Sequence, residues 1–415
     1  MTGQHFPVKH STLDENAVAE WASSRYPLRE LVRCGFLRQS MSDVYLIDTH
    51  DAAYILKVYM HGRHSRHELE AEIGFLNDLL DQDMPVAAPI ANNDGAYLNE
   101  IDAPEGTRYA VLFDAITGDE PQETNLSHSR SFGQLAGRMH NCADRLAKKY
   151  DRWHLDDKYL VEESLNRIRP YLQHREKDLE YLSALGSELM ARLRGLVSRE
   201  SPEYGLCHGD LHTGNARFDE NGRLTLFDFD SFGYGWRAID IGVYHVSYDW
   251  LDLSEETRRE KARFWEAFVE GYNTERPLSS NELVVAQLCL PVRHLELMGL
   301  AVRYWSPQIG VGWINDEYFD GHVRWFRKWA DEYSPGAGAG SGLTGKNSWA
   351  TGRPTAIVVS RGEEDSDERQ VLVQRPWPGI GPYPGPAVAV EWSQRKATGS
   401  PRRQPHRLSG RTTHL

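Results

Sequence analysis

Asp210, Asn215 and Asp228 are the residues whose types and spacing invite chemistry. The first two lie in Gly205-Leu-Cys-His-Gly-Asp-Leu-His-Thr-Gly-Asn215, and Asp228 ends the apolar run of Leu226-Phe-Asp-Phe-Asp230. Two carboxylates and an amide oxygen can bring two ligands for a hard cation and one proton acceptor to a single point. Phosphoryl transfer from ATP needs such a point.

Other chemistries fit parts of the same stretch. His208 and His212 are four apart, but Gly209 breaks a helix there and the glutamate of an H-E-x-x-H site is missing. Asp228-Phe-Asp230 has the D-x-D form of a metal-dependent hydrolase or sugar transferase. It also opens like a calcium loop, yet Ile239 would stand where the bidentate carboxylate belongs. A hydrolase using His208, Asp210, His212, Asp228 and Asp230 is therefore an alternative. Gly340-Ser-Gly-Leu-Thr-Gly-Lys346-Asn imitates a phosphate-binding loop, but no buried strand precedes it and Asn347 replaces the hydroxyl residue.

The elements that must position these groups follow from periodicity. Val18, Trp21 and Ala22 have helical spacing behind an acidic first turn. Residues 30 to 113 read as a small antiparallel sheet with one inserted helix. Its strands are Glu30-Leu-Val-Arg-Cys-Gly, Val44-Tyr-Leu-Ile-Asp, Ala53-Tyr-Ile-Leu-Lys-Val-Tyr, Tyr97-Leu and Tyr109-Ala-Val-Leu-Phe. Lys57 stands in the third strand between apolar Leu56 and Val58, so alternation alone leaves its direction open. The inserted helix carries Leu69, Ile73, Leu76 and Leu80 at 3–4 spacing, with Glu72 beside that stripe. From residue 127 the period turns helical, with Phe132, Leu135, Ala136, Met139, Ala143 and Leu146 on one face and His140 beside it as a packing residue. Two helices are expected in 157–200, then others at 254–274, 279–304 and 316–333, whose aromatic stripes read as core.

His208-Gly-Asp-x-x-x-x-Asn215 has the spacing of the protein-kinase catalytic loop, with Gly for Arg, and Asp228-Phe-Asp takes the place of D-F-G. Lys57 then matches the strand lysine that holds the α- and β-phosphates, with Glu72 as its ion-pair partner from the next helix. Five roles in order, across a sheet lobe and a helical lobe, make a stronger signal than any one motif.

On Cys207-His-Gly-Asp-Leu-His-Thr-Gly-Asn215, Leu226-Phe-Asp-Phe-Asp230 and Asp240-Ile-Gly, the chain resembles the aminoglycoside phosphotransferase and choline kinase superfamily. Phe227-Asp-Phe-Asp-Ser-Phe-Gly-Tyr-Gly-Trp-Arg and Gly271-Tyr-Asn-Thr-Glu-Arg-Pro-Leu-Ser resemble the branch that holds homoserine kinase type II and the stress-response Ser/Thr kinase. The resemblance covers roughly residues 30 to 330. It implies a two-lobed α+β protein-kinase-like fold, with ATP and Mg2+ as cofactors. It implies Asp210 as the group that orients or deprotonates the acceptor hydroxyl, and Asn215 and Asp228 as metal ligands. Asp114, Ala115 and Ile116 would form the hinge that holds adenine, and Asp240 would brace the catalytic loop. The phosphate-covering loop would be Phe36-Leu-Arg-Gln-Ser-Met-Ser-Asp43, which has no internal glycine; Ser40 and Ser42 would serve there. Asp230 receives no role.

The expected acceptor is a small-molecule hydroxyl compound (an amino alcohol, an aminoglycoside or a homoserine-like molecule), with a peptide Ser/Thr as the alternative. Asp249, Trp250, Asp252, Glu296, Tyr304 and Trp305 are candidate lining residues, and acidic plus aromatic groups would suit a cationic acceptor. The net charge of −13 argues against nucleic acid, though acidic proteins are commonly just well solvated. Four separated cysteines suggest reduced, buried fillers. No apolar run of membrane-span length and no signal pattern stand out, so a cytoplasmic protein is expected. The domain reading is an N-terminal lobe at 1–113, a C-terminal lobe at 114–333 and a tail at 334–415. The tail holds 12 Gly and 9 Pro, about the level at which disorder is the default. Within it Thr355-Ala-Ile-Val-Val and Gln370-Val-Leu-Val are a candidate hairpin.

Overall fold

The computed structural model describes residues 6–122, 124–246, 255–304 and 310–333, together with strand pieces at 370–371 and 390–391. An N-terminal helix, α1 (Glu15–Arg25), is capped by the Asp14 carboxylate, which accepts the Asn16 and Ala17 amides. It packs on one face of a sheet built from β1 (Leu31–Gln39), β2 (Ser42–Thr49), β3 (Ala53–Tyr59), β4 (Pro89–Ile90), β5 (Asn99–Ala103) and β6 (Gly106–Asp114). The strand order is β1-β2-β3-β6-β4, β5 also pairs with β6, and every pairing is antiparallel.

Side chains alternate across this sheet. Tyr45, Ile47, Leu56, Val58, Ala110 and Leu112 form one core with Val18, Ala22 and Tyr26 beneath α1. Lys57, between Val44 and Val111 in register, takes the opposite face. Its apolar neighbours therefore do not contradict its polar task, because they belong to the other side of the sheet. The expected phosphate loop is shorter than its sequence suggested. Strand β1 runs through Phe36 to Gln39 and β2 starts at Ser42, which leaves only Ser40 and Met41 in the turn. Phe36 packs edge-on against Tyr45 at 5.3 Å, which holds it in the strand.

Helix α2 (Arg66–Leu80) follows β3 and opens with a capping box between Ser65 and Glu68. Leu69, Ile73 and Leu76 are buried as expected, and so is Glu72. The chain then descends into the larger part. This comprises α3 (Leu126–Asp144), β7 (His154–Leu155), a π-helical turn (Asp157–Glu162) running into α4 (Glu163–Ile168), and α5 (Glu176–Leu196). After β8 (Tyr204–Cys207) come β9 (Ala216–Phe218), β10 (Leu224–Leu226), β11 (Gly233–Trp236) and α6 (Arg237–Val246), a helix that periodicity did not disclose. Helices α7 (Glu255–Glu275), α8 (Ser280–Tyr304) and α9 (Asp316–Tyr333) match the expected spans.

The two parts share one core. Phe75 of α2 stacks on Phe232 at 5.0 Å and meets Tyr150 at 5.5 Å. The backbone of 85–87 bonds to Leu226 of β10, and Asp119 exchanges two bonds with Phe218 of β9. Helices α3 and α7 touch through glycines: a Cβ on Gly133 would lie 1.9 Å from the Phe268 carbonyl oxygen, and one on Gly271 would lie 1.9 Å from that of Arg130. Helix α8 corrects one expectation, because by length and composition it is apolar enough to cross a membrane, an 18-residue window of it having a mean hydropathy of 1.4. In this fold 67% of that apolar window is buried. It packs on α4, α5 and α6. Cys142, Cys207 and Cys289 are buried and free, whereas Cys34 on β1 is half-buried. In the tail, Gln370–Val371 pairs with Val390–Glu391; the proposed partner at 355–359 lies outside the described residues.

Candidate active site

The catalytic loop is shaped by its histidines. The His208 Nδ1 accepts the Asp210 amide at 3.3 Å, so its Nε2–H is turned to the Phe227 carbonyl at 3.1 Å. One ring thereby ties the loop to the strand end that carries Asp228. His212 Nδ1 accepts the Gly214 amide at 3.0 Å, which leaves the proton on Nε2, 3.5 Å from Asp210 Oδ2. Neither ring is left as a metal pair. The Asn215 Nδ2 donates to the Asp210 carbonyl at 2.9 Å and to its Oδ2 at 3.3 Å. Gly209 has φ +81, and a Cβ there would lie 2.1 Å from the Ser231 carbonyl oxygen. Only glycine lets the two acidic segments approach so closely, which accounts for Gly where a protein kinase carries Arg.

Asp240, at the start of α6, accepts the His208 amide at 2.6 Å and the Gly209 amide at 2.8 Å. His140 of α3 reaches Asp240 at 3.1 Å and the Tyr272 hydroxyl at 2.7 Å. Burial lowers the His140 pKa to about 4, so it serves as a neutral link. The expected brace is thus present, and His140, read from spacing as simple packing, is part of it. Cys207 lies close enough to His140 and Asp240 to suggest a metal trio. The His140 and Asp240 polar atoms already hold the loop, and the Cys207 thiol faces the Trp236 carbonyl at 3.6 Å.

Lys57 crosses from the sheet to the second acidic segment. Its Nζ lies 2.5 Å from Asp228 Oδ1 and 3.2 Å from Asp230 Oδ2. Burial alone would lower the Lys57 pKa, but the Asp228 and Asp230 carboxylates hold it above its ordinary value. The expected Lys57–Glu72 pair is not what the structure forms. Glu72 instead accepts the Tyr59 hydroxyl at 3.2 Å. Burial pushes its carboxyl up to about 7, against the pull of the Lys57 charge. The two aspartates are nearer and hydrogen-bond Lys57 directly, so they take the ammonium.

Asp228 has left-handed backbone, φ 68 and ψ 59, and its Oδ2 lies 3.6 Å from Arg38 at the end of β1. Asp230, without a role in the sequence reading, receives Lys57 and also Arg63 at 3.3 Å. Burial would raise the Asp230 pKa, but these cations hold it well below the usual carboxylate range.

Asp210 has a further partner that motif spacing did not reveal. Arg293 of α8 bonds Asp210 Oδ1 and holds Glu296 Oε2 at 2.7 Å. Burial would raise the Asp210 carboxyl, yet His212 and Arg293 hold it well below its ordinary range. Three charged or titratable groups in an apolar run, Arg293-His-Leu-Glu296, were the available signal. Of the other acceptor candidates, Glu296 and Tyr304 face this region, while Asp249, Trp250, Asp252 and Trp305 lie outside the described residues.

The hinge candidates follow β6. The Asp114 amide donates to the Ala88 carbonyl at 3.0 Å and that of Ala115 to Ala53 at 3.1 Å. Ile116 is the one of the three whose amide makes no such bond among the described residues. Ser42 is buried in β2, and the Ser40 amide donates to the Ser42 carbonyl across the turn.

The pattern of the phosphotransferase enzyme family matches residues 36–278. The chain belongs to that family. This phosphotransferase is 34% identical over 281 residues to an uncharacterized protein of Synechocystis sp., covering 67% of this chain and 75% of that protein. It is 28% identical over 313 residues to amicoumacin kinase of Bacillus subtilis, covering 72% and 88% of the two chains. Among solved structures, an amicoumacin kinase in complex with AMP-PNP, Ca2+ and Ami superposes with a TM-score of 0.61 at 22% identity, over 77% of this chain and 94% of that one. At that identity the likeness speaks for the fold, the two-lobed α+β arrangement described above. Membership makes the chain a kinase-type transferase with a hydroxyl group as acceptor and sets the metal-hydrolase alternative aside.

Proposed function

We propose that this phosphotransferase moves the γ-phosphoryl group of ATP to the hydroxyl of a small molecule. The observation that carries this reading is the meeting of Lys57 with Asp228 and Asp230, more than 170 residues apart in the chain, beside the Asp210–Asn215 pair. The acceptor oxygen attacks the γ-phosphorus, the bond to the β,γ-bridging oxygen breaks, and ADP leaves with that electron pair. Asp210, kept ionised, orients the hydroxyl and takes its proton. Lys57 releases the aspartates to neutralise phosphate charge. Arg38 sits where it can add a second positive charge.

The donor set fits a hard cation. Asp228 offers carboxylate oxygen, and Asn215, its amide nitrogen given to Asp210, offers amide oxygen. Bound there, Mg2+ would supply charge neutralisation at the phosphates. Ile116 of the hinge would meet adenine, and the turn at Ser40 and Met41 would cover the phosphates. Positioning and fixed charge account for most of the catalysis in this scheme. All four cysteines are free in the structure, which suits a reducing, ATP-containing cytoplasm.

The test is ADP release with ATP and Mg2+ across amino alcohols, aminoglycosides, hydroxy acids and Ser/Thr peptides. Asp210→Asn keeps the shape and removes the charge; it should lower kcat by about 10²- to 10⁴-fold. Undiminished turnover in that variant would remove Asp210 from the mechanism, and turnover of peptides alone would replace the small-molecule reading.

A further inference from the structure

The α8 wall beside Asp210 is charged in a particular way. Arg293 bridges two carboxylates, those of Asp210 and Glu296. At the end of the same helix Tyr304 lies under Arg63, whose guanidinium carbon is 4.4 Å from the ring centroid. Arg63 Nη2 also reaches Asp230 at 3.3 Å. Positions 293, 297, 300 and 304 share one helix face. Leu297 and Leu300 on it are only half-buried, so an apolar strip lies between the Arg293 and Arg63 ends.

The segment after β7 supplies another side. Its π-helical turn runs directly into α4, and such turns gather at functional sites. Helix α4 crosses α8 closely: a Cβ on Gly299 would lie 2.9 Å from Ser164 Cα. That contact brings Arg167, one turn on, to the level of Glu296, whose carboxyl feels its charge. Tyr159 stacks on Trp153 at 5.3 Å. It also feels the charges of Glu296, Arg63 and Arg167.

Two of these guanidiniums have hydrogen-bonding capacity to spare. Among the described residues, Arg63 Nη1 and Arg167 Nη1 are buried without a hydrogen-bond partner. Their side chains are only 6% and 13% exposed. Buried donors of charged groups are costly to leave unpaired. The described carboxylates here, in contrast, already have cations. Asp210 and Glu296 share Arg293, Asp230 has Arg63 and Lys57, and Glu163 has Arg167 at 2.8 Å. An ammonium group would meet carboxylates that are already neutralised, whereas a carboxylate would meet guanidinium N–H groups that need an acceptor.

We propose that the acceptor is a small hydroxy acid, its carboxylate held by Arg63 and Arg167, its carbon chain lying against Leu297 and Leu300 between Tyr159 and Tyr304. This rests on the phosphotransferase reading and narrows it. It also reverses the expectation of a cationic acceptor.

The experiment compares matched acceptors with ATP and Mg2+. One set is L-serine, L-homoserine, glycerate and 4-hydroxybutyrate. The other set lacks the carboxylate: ethanolamine, 3-aminopropanol, glycerol and 1,4-butanediol. Turnover confined to the hydroxy acids is expected, with Arg167→Gln raising the acceptor KM by about tenfold or more, as loss of a hydrogen bond to a charged group does. The change in KM should exceed that in kcat, and Arg167→Lys should recover part of it. Should Arg167→Gln not fold, Arg63→Lys carries the same comparison, and the preference of the natural chain stands by itself. Turnover only in the carboxylate-free set, or a KM that Arg167→Gln does not move, overturns the hydroxy acid. So does silence in both sets from a protein that binds AMP-PNP with Mg2+, and in that case the phosphotransferase reading survives. Failure to bind AMP-PNP at all removes both.

Discussion

Asp210 is held as a carboxylate by its neighbours, and those neighbours set its pH response. Burial pushes its pKa up, and His212 and Arg293 more than cancel that push. Arg293→Ala should therefore move the acid limb of kcat/KM to higher pH, a shift that pH–rate profiles of the two proteins would reveal or exclude. The same change leaves Asp210 and Glu296 buried without their cation, at a cost of about 3–5 kcal/mol in denaturant unfolding. Glu72 has the opposite sign. Its folded pKa, about 7, lies above its ordinary value of 4.5. Its contribution to stability is complete below pH 4.5 and is lost as pH rises through 7. Melting curves across that window should show the natural chain losing more stability than Glu72→Gln; parallel curves would mean that Glu72 is ionised throughout. At this scale the motif residues were legible because their spacing is local: Asp210, Asn215 and Asp228 lie within 19 residues of one another. Arg293, Arg63 and Asp230 were not, because each acquires its partner only through contacts between distant segments.

The elements act chiefly by bringing short acidic segments to one place. The hairpin β9–β10 sits between Asn215 and Asp228, α6 offers Asp240 from below, and β3 delivers Lys57 from the sheet. Close backbone approach makes some of these contacts unforgiving. Gly133→Ala puts a methyl group into the α7 backbone and should cost about 1–3 kcal/mol in a thermal or denaturant midpoint; an unchanged midpoint would mean that α3 and α7 can part without loss. Long helices and central strands were readable from hydrophobic periods of 3.6 and 2. The short strands β7, β8 and β11 carry too few residues for a period. The turn at Ser40 was read as too long because Phe36 and Asp43 look like loop flanks until Tyr45 and Arg108 are seen to hold them, Arg108 at 2.9 Å from Asp43.

For the whole molecule, the apolar cores run from Val18 to Trp329 and recruit nothing from the tail among the described residues. A chain ending at residue 333 is therefore expected to keep both its unfolding transition and its ADP release; loss of either would make the tail part of the domain. Sequence by itself determined the fold class and singled out Asp210, Asn215 and Asp228 as the candidate site, because hydrophobic period and motif spacing are properties of neighbouring residues. It also placed Lys57 on a strand, but not on which face. Only the tertiary structure decided that Lys57 pairs with Asp228 and Asp230 and leaves Glu72 to Tyr59. It alone showed that Arg293 neutralises Glu296, one of the acidic groups read from sequence as suiting a cationic acceptor. The physical reason is that a charge's effect depends on its distance from other charges and on the water excluded around it. Neither is set until segments far apart in the chain have packed together.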